Sequence, residues 1–145
     1  MKFSTADELM FDEFFKLKES NKFSEALLVI RKIEKNHKNS SVVLGLLGTI
    51  YYELKDYKNS SKYFKRTVLL NPKSELASLG LFHSFKHLGE NIPAMKEIHR
   101  YVSLAKPKLY KTAIKELSDN IHNVRSPFEK KIIIEISKKV SHNKS

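Results

Sequence analysis

An internal repeat constrains this chain more than any other feature of its sequence. Shifting the sequence by 34 positions aligns three segments without a gap: residues 7–40, 41–74 and 75–108. Small side chains then fall in one column, which holds Ala26, Ser60 and Ala94. Repeats of about 20–50 residues are typical of proteins in which each unit buries its apolar side only against its neighbours. We therefore expect a stack of similar units.

Each repeat has the pattern of two helices. In the middle repeat, apolar residues recur at intervals of three and four, first at Leu44, Leu47 and Tyr51 and then at Phe64 and Val68. Such spacing places these side chains on one face of a helix. A short polar stretch separates the two runs, so the sequence predicts a pair of helices joined by a turn in every repeat.

The middle repeat resembles the tetratricopeptide repeat (TPR). It carries the parts of the family pattern in order, namely Leu44-x2-Leu47-Gly48-x2-Tyr51, then Ser60-x3-Phe64, then Asn71-Pro72. The outer repeats depart from the pattern, because Phe14 and Phe82 stand where the middle repeat has Gly48. The resemblance implies an all-α fold, in which TPR-like helical hairpins form a right-handed α-α superhelix. The resemblance covers about residues 7–108, and the length of the chain predicts a single helical-repeat domain over residues 1–145.

Residues 109–145 leave the register of the repeats but keep a helical pattern. An apolar face from Tyr110 to Val124 predicts one helix. Ser126 and Pro127, followed by Glu129, predict the start of another, with Ser as the N-cap and Pro in the first turn. We interpret residues 109–141 as a helical cap with a polar outer face. A β-strand over residues 131–136 is the alternative.

The resemblance also implies where a partner would bind. Members of the family hold a segment of another protein in a concave groove, which is lined by the first helix of each pair. The positions that match the groove in this sequence are Phe11, Phe15, Lys18, Thr49, Tyr52, Leu79, His83 and Lys86. Among these, Phe11, Phe15 and Tyr52 are predicted to form one exposed aromatic cluster.

The sequence offers no motif for catalysis or for a cofactor. It has no Cys, no Gly-rich phosphate loop and no H-E-x-x-H segment. His83 and His87 share one helix face, but two imidazoles do not complete a zinc site. We therefore expect no enzymatic activity, no catalytic residue, no metal and no cofactor.

The charge balance bears on the partner. Lys and Arg number 27 against 16 Asp and Glu, which gives a net charge of +11. Residues 106–145 hold ten of the basic residues and four of the acidic ones. Such a field attracts an acidic partner, and we expect a protein of acidic character. Nucleic acid is the less favoured partner, because no basic run exceeds two residues.

The N-terminal sequence predicts a cytoplasmic protein. It turns acidic at Asp7 and Glu8, where a secretory signal needs an apolar stretch. No apolar stretch approaches the roughly 20 residues that a membrane-spanning helix needs, so we expect no membrane span.

Together these features predict a non-catalytic protein–protein interaction module that binds a partner protein through its concave groove. A small chaperone and an inhibitor or immunity protein are two specific forms of this hypothesis. The alternative is a nucleic-acid-associated protein that uses its basic C-terminal half. The sequence leaves the oligomeric state open.

Overall fold

The computed structural model describes residues 2–142, which are helical and contain no strand. The elements are α1 (Thr5–Glu19), α2 (Phe23–Glu34), α3 (Ser41–Glu53), α4 (Tyr57–Leu70), α5 (Glu75–His87), α6 (Asn91–Leu104), α7 (Lys111–Asp119), a 3₁₀ turn (Ile121–Asn123) and α8 (Pro127–His142). The predicted all-α class is confirmed. Within the described residues, no helix combines the length and the apolar character needed to span a membrane.

The chain divides into two compact units, Met1–Asn71 and Pro72–Ser145, and each has its own core. The first unit contains α1 to α4, and the second contains α5 to α8. The core of the first includes Phe14, Ile30, Ile33, Val43, Leu44, Leu47 and Ile50. The core of the second includes Ala94, Met95, Ile98, Val102, Tyr110, Ile133 and Ile136.

The spacing of the sequence repeat recurs in the backbone. Helices α2, α4 and α6 begin at Phe23, Tyr57 and Asn91, each one repeat length after the last. The residues with a positive φ have the same spacing, and they are Asn21 (59°), Lys55 (61°) and Gly89 (74°). Each of them ends the first helix of a hairpin in the left-handed conformation that closes many helices. The first three hairpins therefore share one turn geometry.

Asn21 and Lys55 adopt a backbone conformation that suits Gly, and the third turn has Gly89 at this position. Introducing Gly at one turn and removing it from another should therefore have opposite effects on stability. Lys55→Gly should raise the free energy of unfolding by about 0.5–1 kcal/mol, because the left-handed backbone strains a residue with a Cβ. Gly89→Ala should lower it by about 1 kcal/mol for the same reason. A Cβ at Gly89 would meet no atom within 4 Å, so the backbone angle alone is tested.

Urea denaturation of both variants beside the wild type measures these differences. Equal stability of all three proteins would contradict the strained turn geometry.

In the second and third hairpins, an arginine on the second helix forms a hydrogen bond with the turn that precedes that hairpin. Arg66 donates a hydrogen bond to the backbone oxygen of Lys38 at 3.0 Å. Arg100, at the same position of the next repeat, donates one to the backbone oxygen of Pro72 at 2.9 Å. The repeat therefore extends from the backbone to a side-chain contact, although the sequence pattern did not point to these arginines.

In the outer hairpins a Phe stands where the middle hairpin has Gly48, and the residue on the facing helix is smaller than Phe64. Gly48 lies against Phe64, and a Cβ at Gly48 would lie 2.8 Å from Cδ1 of that ring. In the first hairpin the corresponding residues are Phe14 and Ile30, both fully buried in the first core. In the third they are Phe82 and Ile98, both in the second core. Each pair of corresponding positions thus holds one large ring, on the first helix in the outer hairpins and on the second helix in the middle one.

The C-terminal segment forms a fourth hairpin, with a correction to its first helix. The sequence predicts one helix with a face from Tyr110 to Val124, but α7 ends at Asp119. The side-chain amide of Asn120 donates to the backbone oxygen of Glu116 at 2.8 Å, which satisfies a carbonyl group at the helix end. Asn favours such ends because its side chain competes with the backbone for hydrogen bonds.

The start of α8 agrees with the sequence. The hydroxyl oxygen of Ser126 accepts a hydrogen bond from the backbone N–H of Glu129 at 3.3 Å, and Pro127 is the first helical residue. Residues 131–136 lie within α8, so the alternative of a β-strand is wrong.

A buried polar cluster joins α5, α6 and the start of α7. The hydroxyl group of Ser78 donates to the Glu97 carboxylate at 2.6 Å and lies 2.7 Å from the Tyr110 hydroxyl, which must therefore donate to it. Arg100 donates two further hydrogen bonds to Glu97, at 2.6 and 2.9 Å. Burial raises the pKa of Tyr110, so its hydroxyl group keeps its proton. Every member of the cluster is thereby satisfied.

The first helix of the chain is held at its N-terminus by a second polar cluster. The Asp7 carboxylate accepts a hydrogen bond from the backbone N–H of Ser4, and the hydroxyl oxygen of Ser4 accepts one from the N–H of Asp7. Asp7 also lies 2.9 Å from Nε2 of His37, which precedes α3. The backbone hydrogen bond from Ser4, and then the contact with His37, lower the pKa of Asp7. This contact ties α1 to the turn between α2 and α3.

Candidate functional site

The groove residues predicted in the first unit lie on α1 and α3 and differ in exposure. Phe15 is 43% exposed, whereas Phe11, Lys18, Thr49 and Tyr52 are half-buried. The Thr49 hydroxyl group donates a hydrogen bond to a backbone oxygen of its own helix at 3.0 Å. Burial raises the pKa of Tyr52, which keeps its hydroxyl group protonated as a hydrogen-bond donor.

The aromatic residues of this set contact other rings. The Phe11 ring packs edge-on against Phe3, with ring centres 4.9 Å apart. The Phe15 ring packs against Phe14, and the Tyr52 ring packs against Tyr57, at 5.2 and 5.4 Å. Each of the three aromatic residues thus packs against a ring that lies outside the predicted set, and Phe15 is the most exposed of them.

The groove residues predicted in the second unit lie at or beside a cavity of about 490 Å³. The cavity lies between α5, α6, α7 and the first turn of α8, and we name it the α5–α8 cavity. Its apolar lining comprises Phe82, Met95, Ala113, Leu117 and Val124. Its polar lining comprises His83, Lys86, Asn91, Glu116, Asn120, Asn123, Arg125 and Glu129.

Of the three predicted residues, His83 and Lys86 line the cavity, and Leu79 does not. Leu79 is half-buried and packs against the second core. The structure thus brings together two of the residues that the resemblance selected on α5, and it gives the third a packing role.

The charged side chains of the cavity are not paired with one another. Among the residues that the structure describes, the ion pairs within 4.0 Å involve other side chains and leave Lys86, Arg125, Glu116 and Glu129 without one. Two cations and two carboxylates therefore face a space large enough to hold part of a ligand. A ligand with both apolar and charged groups would satisfy them.

His83 adds a neutral polar group to this cavity. Burial, and then the nearby His87, lower its pKa, while Glu116 acts in the opposite direction. A histidine with a pKa below its usual value is neutral at pH 7, so its imidazole can donate one hydrogen bond and accept another. The Phe82 ring packs against it, with ring centres 5.1 Å apart.

Sequence reasoning missed the half of the cavity that α7, the 3₁₀ turn and α8 supply. Glu116, Asn120, Asn123 and Arg125 belong to the segment interpreted as a cap, where polar residues were assigned to an outer face. The available signal was the cluster of Asn residues between the two apolar stretches, because Asn marks the ends of helices and leaves its amide group near the turn.

The described residues contain no group of three or more His, Cys, Asp or Glu side chains that could hold a metal ion. Within that part of the chain, His83 and His87, which share a face of α5, therefore belong to no such group. The cavity can act through hydrogen bonds, charge and apolar contact.

No family model matches the chain, and a search of the curated proteins finds no match either.

Proposed function

We propose that this chain is a non-catalytic helical-repeat module of the tetratricopeptide type, which binds a segment of another protein. The shared turn geometry, the equal spacing of the helix starts and the paired arginine contacts support this assignment. The proposal includes a right-handed superhelix, a single domain over residues 1–145 and a cytoplasmic location.

The α5–α8 cavity carries the binding part of the proposal. An apolar side chain of the partner would enter between Phe82, Met95 and Leu117. Side-chain amides such as those of Asn91 and Asn123 have the donor and acceptor pair that matches a peptide group. The cations and carboxylates of the cavity, which form no ion pairs, would then favour a partner whose charged side chains lie opposite groups of the other sign.

The net charge of +11 favours a partner of acidic character, because long-range attraction speeds the encounter. A small chaperone and an inhibitor or immunity protein remain the two specific forms of this proposal, since both act by binding without catalysis.

Capture of partners with two double variants tests the proposal. Lys86→Ala/Arg125→Ala removes both cations of the cavity, and Lys62→Ala/Lys65→Ala removes the same charge from α4, outside the cavity. We expect the first variant to retain at least tenfold less of the partner than the wild type, which corresponds to about 1.4 kcal/mol. The second should retain as much as the wild type.

Both variants should melt like the wild type, because surface substitutions change stability by about 0.5 kcal/mol or less. A partner protein that binds all three proteins equally would contradict binding at the cavity. Capture of nucleic acid in place of protein, with a steep loss at higher salt, would favour the nucleic-acid alternative.

A further inference from the structure

Two exposed apolar residues on this chain have surroundings of opposite charge. Leu9 on α1 is 66% exposed, and the acidic residues Glu8, Asp12 and Glu13 lie one, three and four positions from it. Residues three and four positions apart are neighbours on a helix surface. We name this set the acidic face.

The second set lies on α8. Ile134 is 46% exposed, and Lys130, Lys131 and Lys138 lie four, three and four positions from it. We name this set the basic face. Each face thus has an apolar residue at its centre and three like charges nearby, negative on α1 and positive on α8. Glu135, which follows Ile134, is the one carboxylate beside the basic face among these residues, and it contacts His99 at 3.4 Å.

A groove of about 410 Å³ adjoins the basic face. It runs between α7, the 3₁₀ turn and α8, and its lining includes Ile121, Ile133, Ile134 and Lys138. Ser118 and Ser137 share one hydrogen bond across it at 2.9 Å, in which one hydroxyl group donates and the other accepts. Both hydroxyl groups therefore keep one hydrogen-bond partner when an apolar side chain enters the groove.

The charges of both faces are available. Among the described residues, the ion pairs involve neither Glu8, Asp12 and Glu13 nor the three lysines of the basic face. Exposed like charges around one apolar residue disfavour contact between two identical faces. Contact between the two different faces relieves the repulsion in both and buries both apolar residues.

We propose that the occupant of the groove is α1 of a second copy of this chain. Leu9 of one copy enters the groove beside Ile134 of the other, and the carboxylates of the acidic face meet the lysines of the basic face. The contact joins two different surfaces, so it is heterologous. This self-association is independent of ligand binding at the α5–α8 cavity.

Sedimentation measures the association directly. At low ionic strength the average mass of the wild type should rise above 16.9 kDa as the concentration increases from about 10 µM to about 1 mM, the range in which weak contacts form. Raising the salt from about 0.05 M to about 0.5 M should reverse most of this increase, because exposed charges are then screened. A wild type that stays at 16.9 kDa over this range overturns the proposal.

Two charge-reversal variants identify the surfaces. Asp12→Lys/Glu13→Lys reverses the acidic face in the middle of α1, and Lys130→Glu/Lys131→Glu reverses the basic face near the start of α8, where acidic residues suit the helix dipole. Each variant alone has two faces of like charge and should stay monomeric where the wild type associates. An equimolar mixture should form complexes of at least twice 16.9 kDa, because it restores one wild-type pair of faces.

Lys62→Glu/Lys65→Glu on α4 is the matched control, since it makes the same change in net charge as the basic-face variant at positions outside both faces. It should associate like the wild type, and circular dichroism should show equal helicity in all variants. The proposal is overturned if this control loses association as the basic-face variant does. It is also overturned if the mixture of the two face variants stays monomeric.

Discussion

Gly48→Leu is expected to lower the free energy of unfolding by about 1–3 kcal/mol or more, because α3 and α4 touch at this residue. A Cβ atom there would lie 2.8 Å from Cδ1 of Phe64, which is closer than side chains approach in folded proteins. Phe64 is 5% exposed, so its ring has no free space into which to turn. Thermal melts and urea denaturation of the variant and the wild type measure the loss.

Gly45→Ala is the matched control on the same helix. A Cβ at Gly45 would meet the Thr67 methyl group at 3.7 Å, an ordinary contact distance. Ala is more favourable than Gly within a helix by about 1 kcal/mol, so this variant should be at least as stable as the wild type. Adding Phe64→Leu to Gly48→Leu should recover part of the loss. A Gly48→Leu protein as stable as the wild type would contradict the close contact between the two helices.

Glu97→Ala is expected to lower the free energy of unfolding by at most about 3–5 kcal/mol, the range found when one partner of a buried ion pair is removed. The value should fall near the lower end, because the Arg100 side chain is 32% exposed and can be hydrated. The substitution also removes the acceptor of the Ser78 hydroxyl group, which is fully buried. Urea denaturation followed by circular dichroism measures the change.

Tyr110→Phe separates the hydrogen bonds of this cluster from its ion pair. It removes only the hydroxyl group that bonds to Ser78 and leaves the contact between Glu97 and Arg100 in place. We expect a loss of about 1–1.5 kcal/mol, the usual net value of one hydrogen bond. If Tyr110→Phe proved more damaging than Glu97→Ala, the ion pair would not be the main stabilising contact of the cluster.

The helices of the repeats could be predicted because their signals are local. Apolar residues at intervals of three and four mark a helix, and the period of the repeat places the turns. The prediction for α8 was correct for the same reason, since Ser126 and Pro127 mark its start within a few residues. The end of α7 was missed, because the apolar spacing continues past Asn120 while the side chain of that residue ends the helix.

The polar cluster and the cavity could not be predicted, because their members meet only in the folded chain. Glu97 and Tyr110 both lie far along the chain from Ser78, on other elements. A charged residue on a helix is expected to face water, and only its partners on other elements explain its burial. For the cavity, the resemblance selected His83 and Lys86 on α5, but it did not extend to Glu116 or Arg125.

The exchange of large and small residues between facing helices bears on how similar repeats avoid mispairing while the chain folds. If α1 paired with α4, Phe14 would stand opposite Phe64 and the two rings would compete for one space. If α2 took the place of α4 against the Gly48 side of α3, Gly48 would stand opposite Ile30 and leave a void. Either mistake costs stability, through overpacking in one case and an unfilled volume in the other. Misassembly is a characteristic failure of repeat proteins, and here side-chain size helps to distinguish the correct partner helix from its near copies.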